Sequence, residues 1–74
     1  MHTKFKRHQK VKLLIDPDPE YIEYYQDEVH IKKGMIGKIN ILLPNGQYHV
    51  EIIDKKGEAI AYAPMNEEDL ELIE

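Results

Sequence analysis

The strongest constraint on the fold is a turn signal, Pro44-Asn45-Gly46, that separates two runs of alternating apolar residues. An Asn-Gly pair in this setting predicts a tight β-hairpin with a two-residue turn, since both residues tolerate the positive φ angles that such a turn requires. Residues 36–43 are predicted to form the strand before the turn, and residues 47–54 the strand after it.

Three further segments predict strands around this hairpin. Residues 9–15 alternate between apolar and polar positions and form a first strand, which residues 16–19 end because their two prolines cannot donate to a strand ladder. Residues 58–63 form a fourth strand after a Lys-Lys-Gly turn. Residues 64–69 are predicted to form one helical turn, and residues 70–73 a short closing strand.

The segment from Glu20 to Lys33 admits two interpretations. Asp18 can cap a short helix with Pro19 at its first position, which would place Tyr21 and Tyr25 on one face. The other interpretation is a long irregular loop in which the chain is already extended by Ile31. We expect a loop that contains at most one or two helical turns.

Together these elements predict an all-β fold, a small barrel of five short strands with a long first loop and one helical turn before the last strand. A closed or nearly closed sheet suits a chain of 74 residues because closure removes unpaired strand edges. The glycines at positions 34 and 37 suggest a turn followed by a close approach of two backbones. The predicted core is Val11, Leu13, Ile36, Ile39, Ile41, Val50, Ile52, Ile60 and Leu70.

The net charge of −4 is unevenly distributed along the chain. Residues 1–12 carry five basic side chains and no acid, whereas residues 13–74 carry five bases and fourteen acids, a balance of 5 − 14 = −9. We divide the chain into a basic N-terminal arm, residues 1–8, and a barrel, residues 9–74. The arm is interpreted as a solvated chain end. The alternative is a nucleic-acid tether, whose contacts would come from Lys4, Lys6, Arg7, Lys10 and Lys12.

The composition argues against catalysis and against bound groups. The chain has no cysteine and no serine, and Thr3 is its single threonine, so a hydroxyl or thiol nucleophile has almost no candidate. The sequence contains neither of the glycine-rich phosphate-binding motifs G-x-x-x-x-G-K-[ST] and G-x-G-x-x-G. Its four histidines lack the spacing of metal ligands. We therefore expect no catalytic residue, no metal and no cofactor. No apolar run is long enough to span a membrane, and a cytoplasmic location is expected.

Two runs of the sequence carry a resemblance to a known family. Residues 11–14 with 31–39, and residues 48–57 with the acidic ending at 67–73, have the layout of an SH3-like barrel. The chain resembles a family of short bacterial SH3-like barrels of unknown function. It is more distantly similar to the electron-transport accessory superfamily, which includes the nitrile hydratase β-subunit barrel, the ferredoxin–thioredoxin reductase variable chain and the peripheral stromal subunit of photosystem I. The resemblance implies an accessory subunit that clasps a partner and holds no cofactor.

The long first loop is the predicted recognition site. It concentrates aromatic side chains between acids, and tyrosine suits interfaces because it buries a large area while keeping a polar tip. The alternative is that these side chains cover the end of the barrel. The predicted partner-binding residues are Tyr21, Ile22, Tyr24 and Tyr25. The predicted function is a non-catalytic protein-interaction or accessory module, with self-association as a further expectation and a nucleic-acid-binding barrel as the alternative function.

Overall fold

The computed structural model of the protein describes residues 5–25 and 29–73, and these residues form an all-β fold. Its strands are β1 (Lys10–Leu13), β2 (Glu23–Tyr24), β3 (Ile36–Leu42), β4 (Tyr48–Ile53), β5 (Ala59–Met65) and β6 (Leu70–Leu72). Two three-residue 3-10 turns accompany them, the first at Pro19–Tyr21 and the second at Glu67–Asp69. A helical turn before the last strand is therefore confirmed, but it is shorter than the predicted 64–69, because Pro64 and Met65 belong to β5. The expected count of five strands is wrong, because β2 is a sixth strand inside the first loop.

All six strands belong to one antiparallel sheet, in the order β2-β5-β4-β3-β1-β6. β2 and β6 are the two ends of this order, and over the described ranges they do not pair with each other. The predicted closure of the sheet into a barrel is therefore wrong. The physical reason lies in the first loop, whose short strand β2 occupies the edge of β5 that closure would have needed.

Curvature of the sheet creates an enclosed core. Six flat strands spaced about 4.8 Å apart would extend roughly 24 Å and leave one broad apolar face in water. In this fold the inward side chains of five strands instead form one buried cluster, which the first loop and the N-terminal segment cover. The buried members of the cluster are Phe5, Val11, Leu13, Ile22, Ile31, Ile39, Tyr48, Val50, Ile52, Ala61, Ala63, Met65 and Leu70.

Most of the predicted core is confirmed. The predicted residues that are buried are Val11, Leu13, Ile39, Val50, Ile52 and Leu70. Ile36 and Ile60 are only partly buried, and Ile41 is 47% exposed. The prediction for Ile41 is therefore wrong.

A β-bulge at Asn40 explains why Ile41 points outward. Ile39 pairs with Val50, whereas Ile41 pairs with His49, so Asn40 is an extra residue in β3. An extra residue shifts the alternation of side chains by one position. Ile39 is consequently buried and Ile41 lies on the outer face of the sheet.

A second irregularity lies at the start of β5, before the regular alternation of buried and partly buried side chains from Ile60 to Met65. Ile52 pairs with Ala61 and Ile53 with Ala59, which leaves Ile60 without a direct partner in the register. The small side chains of Ala61 and Ala63 are fully buried, and the larger Ile60 and Tyr62 are only partly buried.

The hairpin between β3 and β4 is confirmed, but its turn is not the two-residue type. The amide of Gly46 donates to the carbonyl of Leu43 at 3.0 Å, and the amide of Leu43 donates to the carbonyl of Gln47 at 2.6 Å. Gly46 has a φ of +91°, whereas Asn45 is not among the described residues with positive φ. This pattern is a three-residue loop that ends in a glycine bulge.

The N-terminal segment is part of the core. Phe5 is 2% exposed, and its ring meets that of Tyr48 edge to face at a centroid distance of 5.3 Å. The amide of Phe5 donates to the Tyr48 hydroxyl at 3.3 Å, and the amide of His8 donates to the carbonyl of Ile39 at 2.7 Å. The interpretation of the arm as a solvated end is therefore wrong for Phe5, whereas Lys6, Arg7 and His8 are exposed. The sequence offered no periodic signal there, because one aromatic side chain supplies the contact.

The first loop contains one 3-10 turn, as expected, and not a longer helix in its described part. The carboxylate of Asp18 caps this turn by accepting from the amide of Glu20 at 3.0 Å, and Pro19 occupies the first position. The chain then extends into β2, where Glu23 pairs with Tyr62 and Tyr24 pairs with Ala61. The loop is thereby attached to the edge of the sheet.

Candidate functional site

The first loop, the β3–β4 hairpin and the second 3-10 turn enclose a groove of about 450 Å³. We call it the acidic groove. Its lining consists of Ile15, Pro17, Asp18, Tyr21, Asn45, Gln47, Pro64, Met65, Asn66 and Asp69. The groove brings together residues that lie up to 54 positions apart in the sequence, the separation between Ile15 and Asp69.

The capped 3-10 turn places Tyr21 over this groove. The turn starts at Pro19, whose fixed φ suits a first helical position, and it presents Tyr21 to solvent three residues after the cap. Tyr21 is 62% exposed, and its amide donates to the carbonyl of Asp18 at 3.0 Å. An aromatic ring held on a fixed backbone provides contact area with little loss of entropy on binding.

The opposite wall of the groove is a network of side-chain amides. Asn45 donates to the Oε1 atom of Gln47 at 2.9 Å, and its own Oδ1 atom accepts from the amide of Gln47 at 3.0 Å. Gln47 then donates to the Oδ1 atom of Asn66 at 3.2 Å. These bonds join the hairpin to the segment before the second 3-10 turn.

The groove is acidic. Among the described residues that line it, Asp18 and Asp69 are acidic and none is basic. Glu20 adjoins Asp18 in the first turn, and Glu67 and Glu68 complete the second turn. All of these carboxylates are at least partly exposed to solvent. The groove therefore favours a ligand that carries positive charge.

The structure separates the four residues predicted to bind a partner. Ile22 is 8% exposed and belongs to the core, and Tyr24 packs against the core from β2. Tyr21 lies on the acidic groove, and Tyr25 lies next to Tyr62 on the outer face of the sheet. Adjacent positions of an extended chain point to opposite sides, which is why these neighbours in sequence do not form one surface.

The outer face of the sheet carries the second group of aromatic side chains. The Tyr25 hydroxyl donates to Glu51 Oε2 at 2.6 Å, and the rings of Tyr25 and Tyr62 are 5.4 Å apart. The ring of His49 lies 4.5 Å from that of Tyr62, and His49 Nδ1 shares a hydrogen bond of 3.1 Å with the Asn40 side chain. These contacts connect β3, β4, β5 and the end of β2.

Hydrogen bonds to carboxylates change the acidity of both tyrosines. The bond to Glu51, assisted by partial burial, raises the pKa of Tyr25 to about 12. The bond to Glu23 raises the pKa of Tyr62. In each case deprotonation would place a phenolate beside a carboxylate. Both hydroxyls are therefore protonated donors near neutral pH, and their role in this structure is to connect strands.

Four of the five basic residues assigned to a nucleic-acid tether are described, and Lys4 lies outside the described residues. Lys6 and Arg7 are exposed in the turn before β1. Lys10 and Lys12 lie two residues apart on the outer side of β1, where Lys12 forms an ion pair of 3.4 Å with Glu71. Part of this basic charge is thus neutralised within the fold.

Sequence reasoning missed most of the groove residues. The sequence predicts a turn at Asn45, the start of a strand at Gln47, and a helical turn that contains Asn66 and Asp69. Their only sequence signal is the clustering of Asn, Gln and Asp at predicted turns, which is typical of turns in general. Tyr21 is the predicted site residue that the groove contains.

Comparisons with protein-family models, with curated proteins and with solved structures find no match to this chain. The described part of the chain contains no group of three or more His, Asp or Glu side chains placed to hold a metal ion. No helix in the same residues has the length and apolar character to cross a membrane.

Proposed function

We propose that the protein is a non-catalytic protein-interaction module, an accessory subunit that binds a segment of a partner protein in the acidic groove. The single observation that carries this proposal is the groove itself, with an exposed tyrosine on one wall and a hydrogen-bonded amide network on the other. An extended peptide needs such a combination, since its apolar side chains require contact area and its backbone requires hydrogen-bonding groups.

The charge of the groove limits the kind of partner segment that it can bind. Asp18 and Asp69 stand on the lining, and an extended segment with Lys or Arg would place its cations near these carboxylates. We therefore infer that the bound segment is basic. Of the four loop residues predicted to bind a partner, the proposal retains Tyr21.

We also propose that the fold is related to the SH3-like barrels. Without the short β2, the strand order is β5-β4-β3-β1-β6. Strands β3, β4 and β5 form a meander whose first strand also pairs with β1, and β1 in turn pairs with β6. The first and last strands are neighbours, and a 3-10 turn precedes the last strand. These features support an SH3-like connectivity and the accessory role that the sequence resemblance implies. A cytoplasmic location accords with a chain that has no cysteine.

A displayed peptide library selected on the purified protein tests the proposed function. We expect the selected peptides to be enriched in Lys or Arg, and we expect Tyr21→Ala to weaken their binding at least roughly tenfold, as for a central aromatic anchor. Because Tyr21 is exposed, the substitution should lower the free energy of unfolding by no more than about 0.5 kcal/mol.

Tyr25→Ala is the matched control. Tyr25 is also an exposed tyrosine of the first loop, but it lies outside the groove. Its replacement should leave peptide binding within about twofold of the original protein. Equal losses for the two variants, or selected peptides that bind Tyr21→Ala normally, would contradict the assignment of the groove. Retention of the protein on a nucleic-acid column that fades steeply with salt, without any selected peptide, would favour the alternative function.

A further inference from the structure

Two turns with the same sequence, Lys-Lys-Gly, lie at one end of the sheet. The first comprises residues 32–34 and the second residues 55–57, and the glycine has a positive φ in both. The first turn leads into β3 and the second follows β4. Because Ile36 pairs with Ile53 in the antiparallel register, the two turns are brought to the same end of these neighbouring strands.

A cleft of about 500 Å³ lies between these turns. We call it the basic cleft. Its lining residues are His30, Lys32, Gly34, Met35, Ile36, Ile53, Asp54 and Lys55. The floor is made by Met35, Ile36 and Ile53, which are aliphatic or thioether side chains. The amide of Lys32 donates to the Met35 sulfur at 3.4 Å, so this side chain folds back over its own turn.

The rim of the cleft is positively charged. Lys32 and Lys55 are exposed there, and Lys33 and Lys56 are exposed next to them in the two turns. The protein as a whole has a net charge of −4, so this concentration of cations is local.

Asp54, the one acidic residue among the described lining residues, forms hydrogen bonds with backbone amides. Asp54 Oδ1 accepts from the amide of Lys56 at 2.8 Å and from the amide of Glu58 at 3.0 Å. These bonds hold its carboxylate against the hairpin that follows β4. The lining keeps an excess of positive charge, because it contains Lys32 and Lys55 against the single carboxylate of Asp54.

We propose that the basic cleft binds an acidic segment of a partner protein that also carries aliphatic side chains. The charge of the rim is complementary to Asp and Glu, and the floor suits Leu, Ile or Val. Met35 adds adaptability, since an unbranched thioether repacks around different side chains.

The lining also distinguishes this ligand from a nucleic acid. Proteins that bind single strands place aromatic rings beneath the bases, and the described lining of the cleft contains no Tyr, Phe or Trp. An aliphatic floor with a basic rim therefore fits an acidic protein segment better than it fits an oligonucleotide.

This inference does not depend on the proposed function of the acidic groove. The two sites share no lining residue, and their charges are opposite. One small domain would then bind two segments of opposite charge, either from one partner or from two.

The test uses the full chain and a synthetic fluorescent peptide in which Glu alternates with Leu. A second peptide replaces every Leu by Ser and keeps the charge, and a third replaces every Glu by Lys. Fluorescence anisotropy measures affinity, and amide chemical shifts in NMR spectra locate the bound peptide. We expect only the Glu-Leu peptide to shift the amide signals of Met35, Ile36 and Ile53. Any binding of the Lys-Leu peptide should leave these three signals unchanged.

Reversal of the rim charge provides the decisive variant. The double substitution K32E/K55E should weaken binding of the Glu-Leu peptide roughly tenfold or more, because two attractive charge contacts become repulsive. The control is K6E/R7E, which changes the net charge equally in an exposed turn that does not line the cleft. It should weaken binding by no more than about twofold, which is the effect of net charge alone. Circular dichroism should show both variants folded.

Several outcomes would overturn the inference. Equal losses for the two double variants would mean that overall charge governs the interaction. Equal binding of the Glu-Ser peptide would mean that the apolar floor makes no contact. Shifts in the acidic groove would place the peptide at the other site. A single-stranded oligonucleotide that displaces the bound peptide from the cleft would assign the site to nucleic acid. Shifts of the acidic peptide in the acidic groove would also contradict the charge preference of that groove. The other results do not bear on basic peptides there, so the two proposals can fail separately.

Discussion

Gly37→Ala tests the close approach of β3 to its neighbour β4. Gly37 lies in β3 on the inward row of the sheet, opposite Ile52. A Cβ atom at this position would lie 2.6 Å from Cγ1 of Val50 and 3.1 Å from the carbonyl oxygen of Glu51. Nonbonded carbon atoms prefer a separation of about 3.5–4.0 Å, so the new methyl group would overlap Val50 by roughly 1 Å.

Neither neighbour can move away at low cost. Val50 is fully buried, and its branched Cβ restricts its rotamers. The Glu51 carbonyl belongs to the backbone of β4. Overpacking of this kind destabilises by roughly 1–3 kcal/mol. At about 4–8 °C per kcal/mol for a domain of this size, we expect the Tm of Gly37→Ala to fall by roughly 4–24 °C.

A double-mutant cycle, measured by urea denaturation, tests whether the clash with Val50 causes the loss of stability in Gly37→Ala. Val50→Ala should itself cost roughly 2 kcal/mol, from two buried methyl groups and the cavity left behind. It removes the clashing Cγ1 atom, so the double variant should be more stable than the sum of the single effects by about 1 kcal/mol or more. Gly34→Ala is the control, because a Cβ atom at Gly34 meets nothing within 4 Å and its φ of +91° is the only source of cost. Its effect should add to that of Val50→Ala within about 0.5 kcal/mol.

Additive effects of Gly37→Ala and Val50→Ala would refute the close approach of β3 and β4. An unchanged Tm for Gly37→Ala alone would refute it more directly. Either result would mean that the sheet is flatter at this position than the structure describes.

Two further predictions concern the chain end and the outer face. Phe5→Ala should lower the free energy of unfolding by roughly 3 kcal/mol, the lower end of the range for a buried Phe. Urea denaturation would show this loss as a reduced midpoint. A change below about 0.5 kcal/mol would mean that Phe5 is exposed to solvent and not part of the core. Tyr25 has its pKa raised to about 12, so the stability from its hydrogen bond to Glu51 is fully present below pH 10 and is lost as the pH rises through about 12. Urea midpoints measured across this window should fall less steeply in Tyr25→Phe than in the original protein, and identical slopes would contradict the bond.

Local sequence signals determined the secondary structure of this protein to a large extent. Alternation predicted the strands around Val50 and Val11, because the side-chain period of two is a property of the strand itself. The turn residues Asn45 and Gly46 marked the β3–β4 hairpin, since a glycine with positive φ has a local cause. The capped turn at Asp18 was likewise readable, because its hydrogen bonds span only a few residues.

The tertiary structure decided the exceptions to the predicted core and which side chains are available to a partner. The bulge at Asn40 exposes Ile41, and the pairing of β2 with β5 prevents closure of the sheet. Phe5 becomes a core residue through a contact with Tyr48, 43 positions away. Such contacts depend on strand register and on curvature, which no short window of sequence encodes.

In the candidate sites, too, the sequence predicts single residues and the tertiary structure decides which of them lie together. Tyr21 was predicted to face a partner, yet the amide wall and the acidic residues around it come from hairpin and turn residues that only the folded chain brings near. The two Lys-Lys-Gly turns are visible in the sequence as separate short motifs. Only the pairing of Ile36 with Ile53 brings them together as the two sides of one cleft. Composition and periodicity thus determine what each segment can be, because those properties are local. Register and sheet curvature determine which segments share a surface, because those properties arise when distant strands pair.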